Sequence, residues 1–281
     1  MRIGNLSGRL ALFTQAGAVD VEKASGGRFG PDPQHVYEVW DEFARWAQAA
    51  DLSEAAPFDP DELGPPTPAP AQIFAIGLNY VEHAAESNFA VPDQFPPVFT
   101  KYRTALSGPQ TTVVIPEGGN VDWEVELVVV IGRRAERVAA ADAWSYVAGL
   151  TAGQDISERI TQLSGPAPQF SLGKSFPGFA PIGPWVVTPD EFSDPDDLEL
   201  RCAVDGEVVQ LGRTRDFVFS VPRLIEGLSR VTPLLPGDII FCGTPSGVGQ
   251  GREPKRFLQP GEELVSHVEG VGELRQKFVS A

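Results

Sequence analysis

One segment limits the fold more than any other. In VDWEVELVVVIG, residues 121 to 132, Asp122, Glu124 and Glu126 alternate and then give way to an unbroken apolar run. The run LVVVI is β-branched and too short for a buried helix, so it reads as a strand covered on both faces. In a strand, residues two apart point the same way with a separation of about 7 Å, which would put the three carboxylates on one side. A solvated edge strand would tolerate that, but one entering a core would not. Buried like charges at this spacing repel and call for a positive partner.

The rest of the chain supplies strands rather than helices. TTVVIP, WVVTP, LELRCAVDGEVVQL with an Asp205-Gly206 hairpin turn, GDIIFCG and EELVSHVEGVGEL all carry strand patterns. Helical spacing is confined to HVYEVWDEFARWAQAA, AADAWSYVAGL, VPRLIEGLSRV and a short piece after IFAIGLNY, where Asn79 and Glu82 resemble a capping box. This is a mixed, β-rich class, a sandwich or rolled barrel with a few helices, rather than a regular βαβ alternation. Six prolines between residues 57 and 72 mark a boundary. We therefore expect a small N-terminal α+β domain with its linker over residues 1–70 and a larger domain over 71–281. The Pro-rich stretch SNFAVPDQFPPVF reads as a surface loop or lid.

Charge and composition narrow the functional classes. A net charge of −16 disfavours nucleic acid and anionic membrane surfaces, both of which bind Lys- and Arg-rich proteins. No apolar run reaches the roughly 20 residues of a membrane span. The opening MRIGNLSGRLALF is too short and too interrupted for a signal peptide, so the expected location is cytoplasmic. Cys202 and Cys242 read as packed, reduced thiols. Familiar motifs fail: Pro168 stands where a phosphate loop ending in Gly173-Lys174-Ser175 needs glycine, and GVGQG lacks dinucleotide spacing. His83-x-x-Glu86 lacks the second zinc histidine, and there is no GxSxG elbow.

With three histidines and two distant cysteines, a nitrogen and sulfur shell is disfavoured, whereas oxygen ligands suit Mg²⁺ or Mn²⁺. AGQDISER offers Asp155 as a third carboxylate. Spacing alone leaves two readings open, a metal site and a structural acidic face.

In order along the chain, IGLNYVEHAAE, PPVFTKYRTALSGP, VDWEVELVVVIG, GQDISER, LGKSFPGFAPIGPWVV, VDGEVVQ, LLPGDIIFCGTPSGVG and VEGVGEL resemble the successive blocks of the fumarylacetoacetate hydrolase superfamily. Within it, the likeness is to acylpyruvase-like and 2-hydroxyhepta-2,4-diene-1,7-dioate isomerase-like members. The resemblance covers nearly all of residues 70–281. It implies a β-sandwich roll, a homodimer, and Mg²⁺ or Mn²⁺ held by Glu124, Glu126 and Asp155, with Asp122 in support. It implies further that His83 and Glu86 form the catalytic pair, that Lys174 and Gln162 offset negative charge, and that Thr244 contacts the substrate carboxylate. Lys101 and Tyr102 fall in a matching block without an assigned role. Where relatives usually carry Ala-Arg-Asp, this chain has Glu158, Arg159 and Ile160, a departure that bears on Gln162 and on substrate preference. The implied activity is metal-dependent hydrolysis of a carbon–carbon bond in a 2,4-dioxo acid, of acylpyruvate or fumarylpyruvate type, through a metal-bound enolate. Rival readings are an oxaloacetate-type decarboxylase, a 2-hydroxydienoate isomerase, and a non-catalytic protein that binds a 2-oxo acid.

Overall fold

A computed structural model describes residues 1–87 and 89–281, so Asn88 of the expected lid lies outside the described residues. The centre of the fold is the strand Val125–Ile131, buried at every position. It pairs antiparallel with Val147–Gln154 on one side and with Ile239–Phe241 on the other. These three sit in the middle of an 11-stranded sheet. A second sheet of five strands contains Glu199–Val204, Glu207–Arg213, Glu263–Val268, Gly272–Ser280 and Gln110–Ile115.

Alternation along the central strand explains why its apolar run is continuous. Val125, Leu127 and Val129 join a core with Leu200, Cys202, Leu264, Leu274 and Phe278 of the five-stranded sheet. Val128 and Val130 face the other way, into a cluster with Tyr37, Trp40 and Phe43 around the helix Trp40–Ala47. Both faces are thus covered by apolar layers, and a polar residue in mid-strand would have no partner. Gly153 sits where a Cβ would come within 2.4 Å of Val128 Cγ2, so its missing side chain lets the two strands pack at this point.

The N-terminal residues extend the same sheet. Arg2–Leu6 pairs with Ala180–Val187, and Arg9–Thr14 and Gly17–Asp20 add two further strands. Two local expectations are corrected. Asn79 does not cap the helix Val81–Glu86, whose N-cap is Tyr80 with no side-chain bond. Its buried amide instead donates to the Phe219 and Cys242 carbonyls and accepts from the Phe219 N–H, because a fully buried amide must satisfy both ends. In AADAWSYVAGL only Ala140–Tyr146 is helical, as a 3₁₀ segment; Val147 onward is strand, since its neighbours offer an open sheet position. Among the described residues no helix is long and apolar enough to cross a membrane.

Candidate active site

The carboxylates gather where the central strand begins. The strand Val121–Asp122 is interrupted at Trp123 and Glu124 before Val125–Ile131 starts, yet Val121, Trp123, Val125 and Leu127 all enter one core cluster and Arg159 reaches both Asp122 and Glu124. Because Val125 pairs with Gln154, the antiparallel register sets Asp155 beside Glu124, and the Asp155 N–H donates to the Glu124 carbonyl at 2.9 Å. Glu124, Glu126 and Asp155, all buried, each present an oxygen within 4.8 Å of the others. Oxygens about 2.1 Å from a common ion can be at most about 4.2 Å apart, so small side-chain adjustments bring this all-oxygen set into range of a hard divalent cation.

Three cationic side chains surround this set and, among the described residues, leave Glu126 as the acid without one. Lys174 Nζ donates to Glu124 Oε2 and Asp155 Oδ2, both at 2.7 Å, and Lys101 Nζ donates to Asp155 Oδ1 at 2.5 Å. Arg159 places Nη1 2.8 Å from Glu124 Oε1 and Nη2 2.7 Å from Asp122 Oδ2. Glu126 accepts from the Gly243 N–H at 2.7 Å but has no ion-pair partner among the described residues. Burial, then the charges of Asp155 and Glu124, push its carboxyl well above the usual range. Burial acts the same way on Glu124, but Lys174 and Arg159 outweigh it and hold that carboxyl at about 2. The two lysines differ for a matching reason. Lys174 touches two carboxylates and is raised against its own burial, whereas Lys101 touches one and burial lowers it.

Asp122 lies outside this group. Its oxygens accept from the Gly249 and Gln250 N–H groups and from Arg159 Nε, tying the loop around residues 247–251 to the site. His83 and Glu86 stand on one face of the helix Val81–Glu86, with Nδ1 and Oε1 2.7 Å apart. Glu86 Oε2 also accepts from the Gly247 N–H at 2.9 Å. A carboxylate accepting from Nδ1–H leaves Nε2 as the basic nitrogen. His83, Glu124, Arg159, Gln162, Lys174 and Thr244 all line one cavity of about 300 Å³. Gln162 Oε1 accepts from Arg159 Nη1 at 2.9 Å. The Thr244 hydroxyl donates to the Val125 carbonyl and accepts from Gln210, so its proton is committed to the main chain.

Sequence reasoning did not assign the contacts of Lys101, Arg159 or Glu158. The available signal was electrostatic: four clustered acids need cations, and Arg159, one of the three that supply them, stands beside Glu158 and Ile160. Glu158 is buried and caps the short helix Arg159–Gln162. It accepts from the Ile160 and Thr161 N–H groups, the Thr161 hydroxyl and the Asn120 N–H. Burial opposes its ionisation, yet the Thr161 hydroxyl and these N–H donors hold its carboxyl below the ordinary range. Glu158→Ala is expected to cost about 1 kcal/mol, the value of an N-cap, and to lower kcat more than KM by loosening Arg159 and Gln162. A depressed carboxyl stabilises above its unfolded value near about 4.3 and loses that contribution as pH falls through the folded one. Melting temperatures of wild type and variant should therefore differ at neutral pH and converge in acid. Equal melting at neutral pH would remove the capping role.

Residues 72–279 match the fumarylacetoacetate (FAA) hydrolase C-terminal family. The chain belongs to the fumarylacetoacetate hydrolase family, whose members are enzymes. A human relative, the mitochondrial oxaloacetate tautomerase FAHD2A, is 41% identical over 84% of this chain and 75% of its own length. The 2,4-didehydro-3-deoxy-L-rhamnonate hydrolase of Sphingomonas sp. (strain SKA58) is 42% identical over 76% of this chain and 75% of its own. Among solved structures, the maleylpyruvate hydrolase of Sphingobium sp. SYK-6 in complex with manganese (II) ion and pyruvate superposes over 100% of both chains, with TM-score 0.76 and 28% identity.

Proposed function

We propose that the protein hydrolyses a carbon–carbon bond in a 2,4-dioxo acid of acylpyruvate type. The observation that carries this reading is the His83–Glu86 pair, an imidazole with its Nδ1 2.7 Å from a carboxylate oxygen and lining the same cavity as Glu124 and Lys174. Glu124, Glu126 and Asp155 would hold Mg²⁺ or Mn²⁺. When bound, the ion supplies Lewis-acid polarisation of the substrate's 2-oxo group. His83 Nε2 takes a proton from water, and the water oxygen bonds to the distal carbonyl carbon. The bond between that carbon and the methylene breaks, and the methylene carbon regains the proton from His83 to leave pyruvate and a carboxylic acid. Lys174, with Gln162 held by Arg159, offsets the negative charge that develops on the pyruvate oxygens. Thr244 contributes to the wall that receives the substrate carboxylate.

A homodimer, a cytoplasmic location and an accessory role for residues 1–70, as the layer that covers the second face of the central strand, belong to the same reading. A second reading is action on oxaloacetate, by tautomerisation or decarboxylation, and the name of the human relative favours the first of these. Incubating manganese-loaded and chelator-stripped protein with acetylpyruvate, fumarylpyruvate and oxaloacetate, followed by product identification, separates them. Metal-dependent release of pyruvate and an acid from a dioxo acid is expected. Turnover of oxaloacetate alone would favour the second reading, and metal-independent turnover would sink both.

A further inference from the structure

The reactive end of the cavity and its outer end differ in chemistry. The inner end holds Glu124, Lys174 and Arg159. The more exposed lining is mostly apolar, Leu78, Phe89, Pro97, Phe99, Leu163 and Phe170, with the uncharged polar Ser87 and Gln250 among them. Phe99 and Phe170 meet edge to face with centroids 5.6 Å apart, and Lys174 Nζ lies 5.1 Å from the centre of the Phe99 ring. The aromatic wall therefore starts at the charged floor and continues to the mouth, where Phe89 is 51% exposed.

No cation is free in that outer part among the described residues lining the cavity. Lys174 and Arg159 are both engaged with acids, and His83 is paired with Glu86. A second carboxylate at the outer end would meet mostly apolar walls and no free cation in a strongly anionic protein, and desolvating it there without a charged partner is costly.

We infer that the outer part of this cavity selects an uncharged, apolar acyl tail, so that the substrate class is the monocarboxylic acylpyruvates rather than dioic acids. The inference rests on the 2-oxo acid reading given above, so the test treats head and tail separately. Calorimetric binding to the manganese-loaded protein would use three non-hydrolysable probes: pyruvate, 2-oxoheptanoate and 2-oxoadipate. Burial of several methylenes should make 2-oxoheptanoate bind about tenfold or more tighter than pyruvate, while 2-oxoadipate gains nothing over pyruvate. Leu163 is 42% exposed at the mouth, so Leu163→Arg should fold and should strengthen 2-oxoadipate relative to 2-oxoheptanoate. Turnover should follow the same order, with hexanoylpyruvate ahead of fumarylpyruvate. If pyruvate binds but 2-oxoadipate binds as tightly as 2-oxoheptanoate, the tail assignment is overturned while the head reading stands. If pyruvate itself does not bind, the head reading fails and the tail assignment with it.

Discussion

Changing His83 to alanine is expected to lower kcat for an acylpyruvate by about 10²–10⁴-fold, the usual contribution of a positioned general base. Manganese affinity should stay within about twofold, because His83 is not among the three carboxylate donors. Glu86→Gln should cost less in rate, since the amide can still meet Nδ1 but no longer prefers a donor there. It should also loosen the loop that Glu86 holds through Gly247. The measurements are steady-state kinetics and calorimetric titration of Mn²⁺ on each variant. Undiminished hydrolysis by the alanine variant would remove His83 from the chemistry.

Asp155→Ala should have the largest effect on stability as well as on activity. Asp155 is fully buried and bonds both Lys101 and Lys174. Removing one partner of a buried ion pair leaves uncompensated charge and costs about 3–5 kcal/mol. The wild type should gain melting temperature on addition of manganese, because a ligand that binds only the folded state stabilises it, by about 2.7 kcal/mol at a hundredfold excess over Kd. The variant should melt lower and gain nothing from manganese. A structural acid would give the lower melting temperature yet leave the manganese response intact, so the two measurements together separate the roles.

Much of this could be read from residue types. The central strand was legible because a β-branched run of that length has one comfortable environment, a sheet covered on both faces. The demand for a cation was legible because like charges next to such a run cannot remain unpaired. Other features were not. Asn79 and Glu82 have the spacing of a capping box, yet burial of Asn79 made carbonyls distant in sequence its better partners. Spacing could not tell which of the three alternate acids would meet Asp155, and it is the Gly249 and Gln250 N–H groups with Arg159 that take up the oxygens of Asp122. Glu158 looked only like a departure from a pattern, and its role as a helix cap depends on where Ile160, Thr161 and Asn120 come to lie.

A β-rich chain, a buried carboxylate strand and a supply of oxygen donors suited to a hard cation follow from side-chain chemistry and short-range periodicity alone. Which acids meet, which cations answer them and what lines the outer cavity depend on the folded arrangement. Those contacts are set by strand register and by loops that approach across long stretches of chain, as when the pairing of Val125 with Gln154 brings Asp155 beside Glu124. Local spacing carries no record of such distances.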